Sequence, residues 1–244
     1  NDRITMRSTY ADILDRLNRK NEASRVRAEN NEMTSRQFNV SPSPQMLDVL
    51  WNDYYQTRNN NIYDYAPIMG KIQDIIQKTV LLVEYSGTSP QFMYSYMIRA
   101  LAEIVYVPSY CWTQMLNEYE NVPEQYKEQY ETILDNVNKA FDMYVPWLEQ
   151  LVEGFKTYDP NYRVNADYNN GLHHLSAYYN FVKDDIDKAI TLNREIYDNR
   201  TFPEDRYSSA ADLMFLNRNA GNMDEARRYA DICEELLPAC QATI

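Results

Sequence analysis

Residues 219–238 read NAGNMDEARRYADICEELLP, and this stretch decides how the rest of the chain is interpreted. Gly221 and Asn222 are typical of a helix end, and the acidic pair that soon follows suits the first turn of a new helix, where the helix dipole favours negative charge. Ala226 opens a series of small residues at helical spacing. The stretch therefore predicts a turn and then a helix that packs closely on a neighbour and ends at Pro238.

The same pattern occurs elsewhere in the chain. Ala189 follows an acidic pair, as Ala226 does, and lies 37 residues before it. This distance is close to the helix-turn-helix period of about 34 residues in tetratricopeptide repeats. Ala177 precedes Ala189 by twelve residues, and Ala11 and Ala23 near the N-terminus have the same separation. We therefore predict an all-α fold, a tetratricopeptide-like superhelix of about 10–12 helices with degenerate repeats, in which stacked hairpins bury each other's apolar faces.

Prolines and glycines divide the middle of the chain. Pro90, after a short Gly-Thr-Ser segment, and Pro108 are interpreted as breaks between helices, and residues 124–156 as one long helix. A loop is expected over residues 159–171. We interpret residues 1–244 as a single helical-repeat domain. Three parts can be distinguished in it: N-terminal helix pairs (1–85), central helices (90–158) and a C-terminal repeat pair (171–240).

The composition argues against several classes of function. The formal net charge is −12 and the sequence pI is about 4.7, so an acidic surface would repel phosphate backbones and no nucleic-acid partner is expected. The three cysteines, Cys111, Cys233 and Cys240, lack the CxxC spacing of zinc sites. Phosphate-binding loops and dinucleotide fingerprints are absent from the sequence. We therefore predict no metal and no cofactor.

Candidate functional residues come from the repeat register, because no catalytic motif is present. His173 and His174 are adjacent, and adjacent side chains on a helix point about 100° apart, which is unsuited to binding one metal ion. In a tetratricopeptide-like superhelix the first helix of each pair faces the concave groove. That register predicts four ligand-binding residues: His174, Tyr178, Arg218 and Asn219. The 22 tyrosines either line such a groove for peptide or sugar or, more commonly, mediate helix packing.

The two ends of the chain resemble a known family. The start, RITMRSTYADILDRLNRKNEA, and the close, GNMDEARRYADICEELLP, resemble the C-terminal soluble region of a bacterial membrane glycosyltransferase family. This family was formerly a domain of unknown function, is abundant in Bacteroidetes and is related to eukaryotic protein O-mannosyltransferases. The resemblance rests on the Thr5-Met6-Arg7-Ser8 opening of the helix that carries Tyr10 and Ala11. It covers about the first 40 and the last 75 residues.

The resemblance implies where the chemistry would lie. In this family a multi-span membrane domain carries out the transfer, and tetratricopeptide-like helices follow it on the extracytoplasmic (periplasmic) side. The chain begins with Asn1 rather than Met, so we expect such a domain to precede it. No catalytic residue is then expected here.

Three functions remain open at this point. The first is a non-catalytic protein-interaction or acceptor-positioning domain of a membrane glycosyltransferase, with a peptide or protein in its concave groove. The second is a stand-alone exported helical protein that binds glycans or peptides. The third is an enzyme, which would need several titratable groups converging in a dry pocket, and no spacing in the sequence predicts one.

Overall fold

The computed structural model describes residues 2–38, 43–61, 65–86 and 90–241, and within these ranges the chain is α-helical with no strand. Ten α-helices and two short 3₁₀ turns (Tyr119–Asn121 and Tyr162–Val164) are present there, which confirms the predicted all-α, helical-repeat-like fold. The helices are α1 (Asp2–Arg16), α2 (Lys20–Phe38), α3 (Pro44–Asn60), α4 (Tyr65–Ser86), α5 (Pro90–Glu118), α6 (Glu124–Tyr158), α7 (Ala166–Phe181), α8 (Ile186–Asn199), α9 (Pro203–Asn219) and α10 (Met223–Gln241).

The chain divides into two compact units, Asn1–Met93 and Tyr94–Ile244. In the first unit, α1 to α4 contact one another in chain order. Its core is built around Trp51 and Tyr54 of α3 and Ile72 of α4, all almost completely buried. Large aromatic and aliphatic side chains therefore hold this unit together.

In the second unit, α6 to α10 also contact one another in chain order. The core shared by α8, α9 and α10 contains Ala189, Ala210, Leu213 and Tyr229. Alanine at two of these positions lets neighbouring helices approach closely, which places the C-terminal helices as tight hairpins. Of the small residues predicted to form the contact face of the last helix, Ala226 is buried, and Ala230 and Cys233 are half-buried.

Three hairpins share one register, as the sequence pattern predicted. They are α1–α2, α7–α8 and α9–α10, and each has in its turn a residue with a positive φ angle. Five residues after it comes a buried alanine on the second helix. The turn residues with their alanines are Asn18 (φ 57°) with Ala23, Asp184 (φ 55°) with Ala189, and Gly221 (φ 79°) with Ala226.

The turns explain why the helices stop where they do. After α9, the N–H of Gly221 donates to the carbonyl of Arg218 (3.1 Å) and the N–H of Asn222 donates to the carbonyl of Asn217 (2.8 Å). The same two bonds, three and five residues back, close α1 at 2.9 Å each. This is the Schellman arrangement, and Gly, Asn and Asp adopt its left-handed conformation at least cost.

Two prolines that were predicted to end helices lie inside them. Pro108 lies within α5, where Leu101 and Val105 before it and Cys111 after it are buried. Burial of several such side chains, at about 1.5–3 kcal/mol each for the aliphatic ones, outweighs the cost of about 3 kcal/mol for a proline in a helix interior. Pro238 lies within α10 at an exposed position, where water can bond the carbonyl that loses its donor.

Other predicted boundaries fit the structure better. The long helix predicted for residues 124–156 is confirmed, since α6 passes through Pro146 and ends at Tyr158. A new helix begins at Pro90 as predicted, and residues 87–89 lie outside the described ranges.

The predicted loop over residues 159–171 is too long. α7 already begins at Ala166, because the side-chain oxygen of Asn165 accepts the backbone N–H of Tyr168 (3.0 Å) and caps the helix. The remaining connection, residues 159–165, contains one 3₁₀ turn.

Gly171 is a packing glycine in the middle of α7. A Cβ atom there would lie 2.7 Å from Cγ2 of Ile98 on α5 and 3.2 Å from Cγ2 of Val152 on α6. The residue was interpreted as part of a loop, whereas its missing side chain lets three helices meet.

Two polar clusters fix how α6, α7 and α8 align. In the first, a carboxylate oxygen of Glu149 on α6 accepts from the hydroxyl of Tyr179 on α7 (2.6 Å) and from Nζ of Lys188 on α8 (2.7 Å). Burial acts to raise the pKa of Glu149, but the hydrogen bonds from Lys188 and Tyr179 outweigh it, so this pKa is lowered. The carboxylate therefore stays charged at neutral pH.

In the second cluster the acidic residue lies on α8 and the lysine on α6, the reverse of the first cluster. Glu195 on α8 accepts from the hydroxyl of Tyr168 on α7 and lies 3.4 Å from Nζ of Lys156 on α6. Both acid–lysine pairs are separated by 39 residues in sequence. If α8 slid by seven residues, Glu149 would face Glu195, so the exchange of charges disfavours a slipped register.

Candidate functional site

An apolar cleft opens between α5 and α7 in the second unit. Its volume is about 200 Å³, and the aromatic rings at its mouth are exposed, Tyr110 by 39% and Phe181 by 58%. Ala177 contributes only a methyl group, which leaves the space. The lining residues are Tyr106, Ser109, Tyr110, Thr113, Gln114, Ala177 and Phe181.

Helical spacing places these residues on facing surfaces. Tyr106, Tyr110 and Thr113 follow one another at steps of four and three residues and so share one face of α5. Ala177 and Phe181 are one turn apart on α7. This signal was present in the sequence, but interpreting Pro108 as a helix end assigned the two tyrosines to different elements.

Two hydroxyl groups of the cleft, those of Ser109 and Thr113, are turned toward their own helix. Ser109 Oγ donates to the carbonyl of Val105 (2.7 Å), and Thr113 Oγ1 donates to the carbonyl of Ser109 (3.1 Å). Hydroxyls bonded in this way leave mainly carbon atoms facing the cleft. The cleft therefore offers a ligand mainly apolar contact, and its remaining polar groups are the hydroxyls of Tyr106 and Tyr110 and the amide of Gln114.

Two of the four predicted ligand-binding residues lie beside this cleft but are buried. His174 is 6% exposed and its ring centroid lies 4.8 Å from that of Tyr106. Tyr178 is 3% exposed and packs on Phe141 of α6 at 4.9 Å. Since α5 and α6 cover these positions of α7, both rings belong to helix packing and do not form the surface that the register predicted. The residue directly before Tyr178, Ala177, lies on the face of α7 that lines the cleft.

The other two predicted residues, Arg218 and Asn219, are exposed at the C-terminal end of α9. The Arg218 guanidinium lies 5.0 Å from the centroid of the Phe215 ring on the same helix. Neither residue lines the α5–α7 cleft, so the structure does not gather the four candidates into one site.

Two carboxylates on α7 and α9, those of Asp167 and Asp212, have raised pKa values. Burial raises the pKa of Asp212 on α9, and the nearby His173 partly opposes that shift. Burial also raises the pKa of Asp167 on α7, against a hydrogen bond from Ser95 and the charge of Arg99. The named contacts account for the direction of each pKa shift.

Two other kinds of feature, a metal-ion site and a membrane-spanning helix, concern the described part of the chain. It contains no group of three or more His, Cys, Asp or Glu side chains placed to bind a metal ion. Within the same ranges, no helix has the length and apolar character needed to cross a bilayer.

Comparison of the chain with protein-family models, with curated proteins and with solved structures finds no match in any of the three. The α5–α7 cleft is the candidate functional site.

Proposed function

We propose that this chain is a non-catalytic protein-interaction module that binds a peptide or partner protein through the α5–α7 cleft. The observation that carries the proposal is an open apolar cleft built on two helices and rimmed by the exposed rings of Tyr110 and Phe181. Clefts on rigid helices bind at low entropic cost, because little has to be ordered on the protein side.

The chemistry of the cleft favours a peptide over a glycan. Cavities that enclose a drug-sized ligand measure about 300–1,000 Å³, so the smaller volume here suits one large apolar side chain. A sugar would bury hydroxyl groups against Ser109 and Thr113, whose own hydroxyls already donate to the helix. Burying polar groups without partners costs free energy, whereas a leucine or phenylalanine side chain gains it.

We further propose the setting that the sequence resemblance implies: an acceptor-positioning C-terminal part of a membrane glycosyltransferase on the extracytoplasmic side. The support is the similarity of residues 3–23 and 221–238, and the membrane attachment and transfer chemistry would belong to a preceding domain. Reading the gene upstream of Asn1 tests this setting. Many hydrophobic spans of about 20 residues support it, and a single signal segment leaves the exported peptide- or glycan-binding protein.

The cleft itself is tested with a displayed library of random 12-residue peptides and a panel of neutral oligosaccharides. We expect selected peptides to share one large apolar residue. Ala177→Phe fills the cleft from its floor and should weaken their binding about tenfold or more, as loss of a central anchor site does. Phe181→Ser removes an exposed wall, so its folding is not in question, and should weaken binding about fivefold.

Phe202→Ser is the matched control, because it removes another exposed phenylalanine, 68% exposed against 58% for Phe181, from the α8–α9 connection. Equal peptide affinity of the wild type, Ala177→Phe and Phe181→Ser would refute the cleft as the binding site. Oligosaccharide binding without peptide binding would favour the glycan-binding alternative.

A further inference from the structure

One carboxylate lies beside the α5–α7 cleft, on the side of α9. It belongs to Asp212, which is half-buried and close enough to His173 on α7 for that ring to affect its pKa. His173 is exposed and lies one helical turn before Ala177 of the cleft, so the two residues share one side of α7 and are about 6 Å apart along its axis. The acidic subsite, defined here as Asp212 and His173, therefore adjoins the cleft.

The exposed surface continues along α9 from Asp212. Asp212, Phe215 and Asn219 follow one another at steps of three and four residues and so share one side of α9. Phe215 is 47% exposed, and Asn219 is also exposed. The axes of packed helices lie about 8–10 Å apart, a distance that about three residues of an extended peptide cover. A peptide anchored in the cleft can therefore reach Asp212.

The carboxylate of Asp212 has no ion-pair partner in the described part of the chain, and no hydrogen bond reaches it there. Burial raises its pKa, and His173 opposes only part of that shift. By contrast, Asp205 on the same helix lies 3.7 Å from the guanidinium of Arg200. A partly buried charge without a partner is costly, so a ligand cation beside Asp212 would gain more than one beside a solvated carboxylate.

Two arginines of α9 lie six residues from Asp212, and both have other contacts. Nη2 of Arg206 donates to the hydroxyl of Tyr197 at 2.7 Å. The guanidinium of Arg218 lies 5.0 Å from the centroid of the Phe215 ring. Neither arginine contributes to the pKa shift of Asp212. The place beside this carboxylate is therefore left for a cation from a ligand.

We propose that the acidic subsite selects a lysine or arginine side chain of the peptide whose apolar residue occupies the α5–α7 cleft. The cation of the peptide bonds to the carboxylate of Asp212, within about four positions of the apolar anchor. An uncharged peptide would cover Asp212 without giving it a partner, and an acidic peptide would be repelled. This inference rests on the proposed function, because it names the class of peptide that the cleft binds.

The first test selects the library of random 12-residue peptides in parallel against the wild type, Asp212→Lys and Asp231→Lys. Asp231 is an exposed acid of α10, so the two variants change the net charge equally. We expect the wild type and Asp231→Lys to enrich a basic residue at a fixed short distance from the apolar one. Asp212→Lys should enrich an acidic residue at the same position.

The second test is a double-mutant cycle, measured by fluorescence anisotropy with one peptide selected by the wild type. Changing its basic residue to glutamine should weaken binding to the wild type about five- to tenfold. The same change should weaken binding to Asp212→Asn by less than about twofold. Asp231→Asn is the matched control and should behave as the wild type does.

A third variant supplies the cation from the protein itself. Because His173 is exposed, His173→Lys should fold normally and place an ammonium group beside Asp212. It should weaken binding of the basic peptide about fivefold and leave binding of the glutamine peptide unchanged. Thermal unfolding of each variant checks that the fold is retained.

The outcomes separate this inference from the proposed function. Peptides whose binding is lost in Ala177→Phe, but whose basic residue shows no coupling to Asp212, would overturn the inference and leave the proposed function standing. Equal losses in Asp212→Asn and Asp231→Asn would also overturn it, because they would show attraction to the net charge alone. Failure to select any peptide would refute both.

Discussion

The hairpins α7–α8 and α9–α10 and the long helices α5 and α6 belong to one unit but pack with different side chains. The hairpins meet through alanines such as Ala189 and Ala226, at positions fixed relative to a left-handed turn. The long helices instead bury large residues such as Phe141 and Phe155 and contain prolines within their length. Small-residue packing closes the hairpins, whereas the apolar cleft proposed as the binding surface is formed by the long helix α5 against α7.

The largest expected effect comes from enlarging a hairpin alanine. Ala189 is completely buried, and its carbonyl accepts from Ser176 Oγ on α7 at 3.1 Å, which requires a close helix approach. Ala189→Leu should lower the free energy of unfolding by about 3 kcal/mol, because the added carbon atoms force α7 and α8 apart. Chemical denaturation measures this change.

The matched control is Ala166→Leu, at the exposed first residue of α7, which should change stability by less than about 0.5 kcal/mol. If both variants were equally stable, close approach of α7 and α8 would not be what holds the hairpin, and the comparison with the long helices would fail.

An intermediate effect is expected where the two regions meet, at Gly171. A Cβ atom would press on Ile98 and Val152, whose branched side chains cannot easily turn away. Overpacking costs about 1–3 kcal/mol, and the better helix propensity of alanine returns about 1 kcal/mol. Gly171→Ala should therefore destabilise the protein by up to about 2 kcal/mol in thermal or chemical unfolding.

Gly70 in α4 provides the opposite case. A Cβ atom there meets nothing within 4 Å, so Gly70→Ala should stabilise by about 0.5–1 kcal/mol through helix propensity alone. A stabilising effect of both substitutions would mean that Gly171 is not a close-packing position.

The hairpin register could be predicted from sequence because it depends on local chemistry. Residues able to adopt a positive φ, such as Asn18 and Gly221, stand five positions before an alanine, and both features are visible without knowing any neighbour. Gly171 could not be interpreted in this way, because its role is set by helices α5 and α6, which are distant in sequence. The sequence alone does not distinguish a glycine that forms a turn from a glycine that allows close helix packing.

The candidate site was less predictable than the fold. His174 and Tyr178 were chosen from a repeat register that treats the first helix of each pair as an open face. In this unit α5 and α6 cover that part of α7, so both rings are buried. The cleft that does open depends on Tyr106 and Tyr110 lying on one helix, and this follows only if the helix passes through Pro108. Whether a proline ends a helix depends on how much apolar surface is buried on its two sides, which a single sequence does not state.

The smallest effect is expected for the ion pair between Glu149 on α6 and Lys188 on α8. Lys188→Glu alone places a second carboxylate beside Glu149, and Glu149→Lys alone places two ammonium groups together. The double variant restores an opposite pair with the order reversed. Because both side chains are partly exposed, we expect a coupling free energy of about 0.5–1 kcal/mol in a double-mutant cycle.

The coupling free energy between Glu149 and Lys188 should also depend on pH, which provides a second, independent test of this ion pair. The folded-state pKa of Glu149 is lowered: burial opposes the shift, and the hydrogen bonds from Lys188 and Tyr179 exceed that opposition. Its contribution to stability is therefore fully present above the unfolded-state pKa of about 4.3 and is lost as pH falls through the lower folded-state pKa. The coupling should be constant from about pH 7 to pH 5 and should shrink toward pH 3. A coupling that grew on acidification would mean that Glu149 is held protonated in the fold, and the Glu149–Lys188 pair would then not align α6 with α8 through opposite charges.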